Sequence, residues 1–400
     1  MTTNNDELQV TTKYETKVTF QKILETENIA ELLSDRDLCV IGELCIKEKE
    51  EDEDSREHWK TVTDDAMDII DPNVTIQKTI PWVGAADVRL PLLSQALVNS
   101  SSRMLPALIK NDEPIKPRIF GLDPDGSKNY KATNVKKYMT WQLLGDPKSK
   151  WKRDFDKSLT QLFLCGTIFR KCCVDPVTNK KYFEMIPYKD LIVNKNITSL
   201  AKAPRISQNH IFRQNDIETR IRTGKWIEYD YQSSDGLGND DSDESNYDSD
   251  TYNKTYQFTE QHRWLDLDND GYAEPYVVYV DNSIKKVVCI NRNFDVDESN
   301  YDEETGRVIQ LEPNQYYIAY HLIPAFDGSF YSYGFAYFFL HINSVCNSII
   351  NILLDSGSLV ANGGGFIGKG ARNRSGTIQS AMNEWHVVDN TPGTSLRDNI

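Results

Sequence analysis

Residues Phe335 to Leu354, FAYFFLHINSVCNSIINILL, carry no formal charge, and this stretch constrains the fold more than any other. Its length is roughly what a bilayer crossing needs. Polar residues nevertheless recur along it at a spacing of about four, which places them on one side of a helix. These residues are Asn343, Ser344, Asn347, Ser348 and Asn351.

A separate apolar stripe runs along the same stretch, formed by Ile342, Cys346, Ile349 and Leu353. The two stripes together predict one long amphipathic helix whose polar face is uncharged. We expect one face of this helix to lie on a core and its other face to meet a second protein surface or a wet channel. This interpretation is favoured over a membrane span because of the asparagines.

Charge and cysteine content narrow the class of protein. The chain has 400 residues, enough for two to four domains, and a formal net charge of -15. A protein this acidic repels phosphate and does not bind nucleic acid through its overall electrostatic field. Only local basic patches, or a passage through which DNA moves without adhering, would suit DNA. The seven cysteines form no C-x-x-C pair, and the N-terminus has no apolar signal core, which together indicate reduced thiols and a cytosolic origin.

Hydrophobic periodicity organises the rest of the chain. Helices are predicted over about 19–70, 91–109, 129–145, 151–165 and 214–223. The charge run Lys47–Glu57 is interpreted as a solvated helix face or loop. Two β segments flank a turn at 175–180, and a β-rich module covers about 256–323. Residues 228–250 hold nine acidic side chains and no basic one, which predicts a mobile loop.

The stretch DLDNDG, from Asp266 to Gly271, begins like a calcium loop of the helix–loop–helix kind. Such a loop needs a glutamate at its twelfth position, where this chain has Val277. Its flanks are β-rich, and Asp-Gly between two strand-like runs predicts a hairpin turn. The prediction is therefore a turn with no metal.

The sequence from Gly363 to Lys369 matches the start of a phosphate-binding P-loop, but Gly370 stands where Ser or Thr must hold magnesium. What remains is a glycine-rich loop with three basic residues, Lys369, Arg372 and Arg374, which either form a solvated turn or touch a polyanion. The six histidines show no metal-ligand spacing, and no G-x-S-x-G motif occurs. No catalytic residue and no cofactor are predicted.

Four stretches in this order resemble the portal proteins of tailed bacteriophages, the head-to-tail connectors. They are IPWVGAADVRLPLL (80–93), the β segments of 161–194, HRWLDLDNDGYAEPYVVYV (262–280), and residues 320–370. The resemblance covers roughly residues 60–400, and its last stretch is the most specific. It rests on the succession of the stretches, because none of them is catalytic.

The resemblance implies an α+β, portal-type fold with a helical and β wing, a helical stem and a β-rich clip; the C-terminal crown is expected to be absent. The implied ranges are an N-terminal arm (1–56), the wing (57–210), a possible first stem helix (211–225), the acidic loop (226–255), the clip (256–330), the second stem helix (331–358), and a glycine-rich segment leading to the tunnel loop (359–400). The uncharged Asn/Ser stripe would then line the stem interface between subunits, since burying unpaired charges there would be costly.

The implied function is structural and non-enzymatic: a ring, usually of twelve copies, at one capsid vertex of the virion, assembled in the host cytoplasm. It would conduct double-stranded DNA during packaging and ejection and contact the terminase large subunit, the major capsid and scaffolding proteins, and a tail adaptor, with no membrane. Lys369, Arg372 and Arg374 would approach the DNA. Two alternatives stay open: a nucleotide-dependent packaging enzyme or nuclease, and a calcium-binding structural tail protein.

Overall fold

The computed structural model describes residues 14, 16, 18–71, 85–145, 150–174, 181–231, 254–295, 301–302, 307–308, 310–362, 366–368 and 386–388. The basic loop with Lys369, Arg372 and Arg374 lies outside these residues, as does most of the acidic stretch 228–250. Those two predictions therefore have no structural counterpart.

Helices and antiparallel sheets are mixed, so the predicted α+β class is confirmed at that level. The helices are α1 Phe20–Glu25, α2 Asp35–Ser55, α3 Glu57–Ile70, α4 Leu92–Leu108, α5 Ser127–Thr140, α6 Trp151–Cys165, α7 Gln214–Arg222 and α8 Phe335–Asn362. The strands are β1 Thr167–Val174, β2 Lys181–Ile186, β3 Leu191–Ile192, β4 Arg205–Arg213, β5 Thr255–Leu265, β6 Glu274–Asp281, β7 Lys286–Arg292, β8 Tyr301–Asp302, β9 Arg307–Val308, β10 Tyr317–His321, β11 Phe366–Gly368 and β12 His386–Val388.

The chain divides into two compact units: residues 1–63 with 97–335, and residues 64–96 with 336–400. The first unit is built on a five-stranded antiparallel sheet of order β3-β4-β5-β6-β7 and a three-stranded one of order β10-β1-β2. Both sheets combine strands from the predicted wing with strands from the predicted clip. The chain is therefore not divided into compact units at the wing–clip boundary.

Alternation along the strands gives the five-stranded sheet two apolar faces. Val278 and Ile290 face a core shared with Ile41 and Cys45 of α2, and α2 packs on β6 and β7. The opposite face belongs to a second core, which contains Ile217 of α7 together with Trp226, Phe258 and Val288. The predicted helix at 214–223 is confirmed, and it serves as a short cover on this sheet.

The charge run Lys47–Glu57 is not a solvated face throughout, because two of its members are buried. Asp52 accepts hydrogen bonds from Arg205 Nε (2.7 Å) and Asn194 Nδ2 (2.8 Å). Arg56 is 1% exposed and donates to the carbonyls of Tyr188 and Leu191, at 2.9 and 2.7 Å. Each charge has polar partners, which is the condition for burying it. The prediction was wrong here because these partners lie far away in sequence.

The second unit contains α8, the parallel pair β11–β12 and residues 85–96. The predicted helix 335–355 is confirmed and continues to Asn362. The predicted helix starting near Pro91 is also confirmed, since α4 begins at Leu92.

Candidate assembly surface

A short segment before α4, residues 85–90, lies against the polar face of α8; we call it the strap. The backbone amide of Ala86 donates to Asp355 Oδ1, and that of Leu90 donates to Asn347 Oδ1, both at 2.8 Å. Between them, Val88 donates its amide to Asn351 Oδ1 (2.8 Å) and accepts from Asn351 Nδ2 (3.2 Å). Every second residue of the strap thus meets every fourth residue of the helix.

The two spacings match physically. Four residues of an α-helix advance by about 6 Å, and two residues of an extended chain advance by about 6.6 Å. A polar residue at every fourth helical position can therefore pair with alternate amides of an extended segment for a few steps. The asparagine period that is visible in the sequence is the helical half of this ladder.

The side chains of the five predicted interface residues differ in their hydrogen-bond partners. Asn347 and Asn351 hold the strap, while the Ser344 and Ser348 hydroxyls donate to the carbonyls of Leu340 and Ser344 in their own helix, both at 3.0 Å. Their predicted role between subunits stays a prediction. The side-chain groups of these four residues are nevertheless already used within one chain.

Asn343 is the exception. Its side chain is 2% exposed, and neither Oδ1 nor Nδ2 has a hydrogen-bond partner among the described residues. Continuing the ladder would set it opposite Leu92, where Pro91 has ended the extended strap and α4 has begun. A buried amide without partners costs stability.

The apolar stripe of α8 is exposed. Ile342 (56%), Ile349 (52%) and Leu353 (64%) of the predicted stripe are exposed, and Cys346 is half-buried. Val345 (57%) and Ile352 (63%) lie on the same side of the helix and extend the exposed stripe. The apolar stripe is therefore not the face that lies on a core. Unpaired polar groups are costly to bury, so the side-chain amides pair with the strap. The apolar side chains need no hydrogen-bond partner and stay available for another protein surface.

One described helix, Phe335–Ser358, is long and apolar enough to cross a membrane, with 17% of it buried. The strap argues against that location, because it carries Asp87 and Arg89 alongside the middle of the helix. Each charge would cost about 2.5–3.5 kcal/mol at a bilayer centre, and irregular backbone facing lipid is not tolerated there. The exposed apolar stripe therefore fits a protein surface better than lipid.

The DLDNDG stretch forms the predicted hairpin turn between β5 and β6, whose last pair is Leu265 with Glu274. Asn269 and Gly271 have positive φ, 60° and 92°. Asp266, Asp268 and Asp270 bring one carboxylate oxygen each to within 4.8 Å of the others. Burial, reinforced by the charges of Asp268 and Asp270, raises the pKa of Glu274 to about 8.

A buried charge cluster joins the two sheets of the first unit. Glu260 of β5 accepts from Lys171 Nζ (2.6 Å to Oε1), and both side chains are at most 5% exposed. Its remaining partners are His210 (2.9 Å), His262 (2.8 Å), the Tyr279 hydroxyl (2.9 Å) and the Tyr317 hydroxyl (3.1 Å). We call these six residues the Glu260 hub.

The central pair of the hub, Lys171 and Glu260, is buried, whereas His210 is half-buried. Burial opposes the charge on Glu260, but Lys171 and the two histidines outweigh it and hold the pKa of this carboxyl well below its usual range. Burial lowers the pKa of His262, and the hydrogen bond and charge of Glu260, which act in the opposite direction, do not outweigh it. Sequence reasoning missed the hub, since its members lie on five different strands.

No protein-family model matches the chain, and no curated protein matches it.

Proposed function

We propose that this chain is the subunit of a homo-oligomeric ring of the portal type, a structural conduit for double-stranded DNA at a capsid vertex. The proposal rests on the resemblance of its sequence stretches and on one structural observation. That observation is the uncharged apolar stripe of α8, which the chain leaves exposed while the strap pairs with Asn347 and Asn351 on the polar side.

The stripe fits a second copy of the chain. Five large apolar side chains at helical spacing form a contiguous strip, and such patches mark interaction surfaces. Burying one of them fully is worth roughly 1.5–3 kcal/mol. In a ring, every subunit uses two different faces, one toward each neighbour. The stripe of one subunit would therefore pack on a different surface of the next subunit, not on its stripe. The interface would then use this stripe and not the asparagines.

The charge of the chain supports a passage for DNA. A protein with a net charge of -15 repels the phosphates of DNA. A channel that bound the duplex tightly would slow its transport. Terminase, tail adaptor, capsid and scaffolding partners belong to this proposal. Contact of Lys369, Arg372 and Arg374 with the DNA stays a prediction.

The stripe can be tested directly with Ile349→Asp and Ile352→Asp. A charge placed at either position would be buried without a partner in the assembled ring, so both variants should fall apart to monomers, whereas the wild type forms closed oligomers. Native mass spectrometry at micromolar concentration gives the distribution of masses.

Ile211→Asp is the matched control, because Ile211 is 66% exposed on β4, in the other unit. It should assemble like the wild type. A monomeric wild type, or rings that survive both α8 substitutions, would contradict the proposal. Hydrolysis of ATP or cleavage of DNA with magnesium would favour the enzyme alternative instead.

A further inference from the structure

Residues 114–145, all of which the structure describes, contain no buried residue; we call this stretch the basic segment. It contains α5, which continues into a π-helical turn at Trp141–Gly145. Helix α5 is nevertheless anchored at its start, because Asp123 accepts from the backbone amides of Lys128 (3.2 Å) and Asn129 (2.9 Å). These bonds satisfy two of the amides that the first turn of a helix leaves unpaired. The basic segment thus has a defined structure without a core of its own.

A helix in this situation needs a partner. Isolated helices up to about 12–15 residues long are marginal in water, and packing of one face stabilises most helices of proteins. Helix α5 has 14 residues, and none of its side chains is buried. The basic segment exposes large apolar and aromatic side chains instead, among them Phe120, Leu122, Tyr130, Val135, Tyr138 and Trp141. A concentration of such side chains marks an interaction surface.

The basic segment is opposite in charge to the rest of the chain. It has six basic and two acidic residues, so its net charge is +4, whereas the whole chain has -15 and the remaining residues therefore have -19. Two of its lysines lie beside exposed rings of α5. Lys137 shares one side of the helix with Tyr130 and Trp141, and Lys131 and Tyr138 lie on the adjoining side. Because surfaces of opposite charge complement each other, the partner of this face should be acidic.

Helix α2 offers an acidic surface of this kind. Its inner side packs on β6 and β7. Its outer side exposes Glu43, Glu50 and Asp54, whose spacings of seven and four residues place them on one side of the helix, with Lys47 between the first two. We call these three carboxylates the acidic row. Like charges four residues apart destabilise a helix, so a basic partner would relieve the repulsion between Glu50 and Asp54.

We propose that the basic segment docks on the acidic row of a second copy of this chain. The proposal rests on the proposed function in one respect, that copies of the chain associate, and it adds a contact separate from the stripe of α8. Lys131 and Lys137 would meet Glu50 and Asp54, while the exposed rings of α5 are removed from water. The two surfaces are different parts of one subunit, so the contact is heterologous, which is the kind that can close a ring.

The test reverses charges in the full-length protein and measures assembly by sedimentation velocity over a concentration series. Lys131→Glu with Lys137→Glu should raise the concentration at which half of the chains are assembled by about tenfold, because attractive pairs become repulsive. Glu50→Lys with Asp54→Lys should have the same effect. All four substitutions together exchange the charges and keep the net charge of the wild type, so they should restore assembly to nearly the wild-type level.

Lys22→Glu with Lys202→Glu is the matched control, because both lysines are exposed and lie outside the basic segment. It changes the net charge as much as the other lysine pair and should assemble like the wild type. Rings that survive both reversals, or a fourfold variant that does not recover, would overturn this inference and leave the ring itself standing. A monomeric wild type would overturn both. Loss of duplex-DNA binding in the Lys131 and Lys137 variant, with assembly unchanged, would assign the basic segment to nucleic acid and overturn the docking.

Discussion

Buried polar side chains occur in two opposite situations in this protein. Glu260 is 2% exposed and is surrounded by five donors, so its charge is fully compensated. Asn343 is equally buried and has no described partner. The first situation fixes how two sheets meet, and the second leaves an unpaired amide in the N-terminal third of α8. Some buried polar groups of this protein therefore have all their partners, and others have none among the described residues.

The hub makes stability depend on pH through His262. Burial lowers the pKa of His262 below 6.5, so the folded protein keeps the ring neutral while the unfolded chain takes up a proton. The stabilising contribution of His262 is present above pH 6.5 and is lost as the pH falls further, by up to about 1.4 kcal/mol per pH unit. The free energy of unfolding of the wild type minus that of His262→Gln should therefore decrease as the pH falls from 7 to 5.5.

Urea unfolding of both proteins at several pH values measures this difference, and taking the difference removes the contributions of other carboxyls and histidines. Between pH 7.5 and 8.5 the difference should be flat, which is the internal control. A difference that grows in acid would show that His262 carries a proton beside Glu260 in the folded protein.

The strap and α8 show what a sequence can and cannot predict about an element. The period of Asn343, Asn347 and Asn351 predicts the helix and its polar side, and the alternation in β5 to β7 predicts the strands. Which side of the helix would be covered was not predictable, because the strap lies more than 250 residues earlier and its donors are backbone amides. Backbone amides occur at almost every residue, so the residue types do not show which of them act as donors.

The same limit applies to the first unit. Asp52 and Arg56 were interpreted as solvated because a charge run is normally solvated, and their partners on β4 and near β3 could not be paired with them from sequence. The hairpin at 266–271 was predicted because all its determinants are local. Local patterns were predictable, and long-range pairings were not.

The ladder predicts opposite effects for two neighbouring asparagines of α8. Asn347→Leu removes the acceptor of the Leu90 amide and should lower the free energy of unfolding by about 1–3 kcal/mol. Asn343→Leu removes two unpaired polar atoms at a buried position and should leave the free energy unchanged or raise it by about 1 kcal/mol. Chemical denaturation of both variants beside the wild type gives the two values.

Because both substitutions are asparagine to leucine in one helix, differences in helix propensity cancel between them. Equal destabilisation by the two variants would contradict the ladder.

At the scale of the whole molecule, acidity and the exposed stripe act together. A chain with a net charge of -15 repels its own copies at long range, so association needs a surface that is free of charge. The described part of α8 provides such a surface from Ile342 to Leu353, and salt, which screens the repulsion, should favour assembly. The resemblance to portal proteins and the geometry of α8 thus lead to one account, a ring of identical chains.

Electron cryomicroscopy of the purified full-length protein tests that account most directly. We expect closed rings with a central hole wide enough for duplex DNA, in which Ile349 and Ile352 of each subunit are buried against a neighbour. Isolated monomers, or rings in which these two side chains still face solvent, would contradict it.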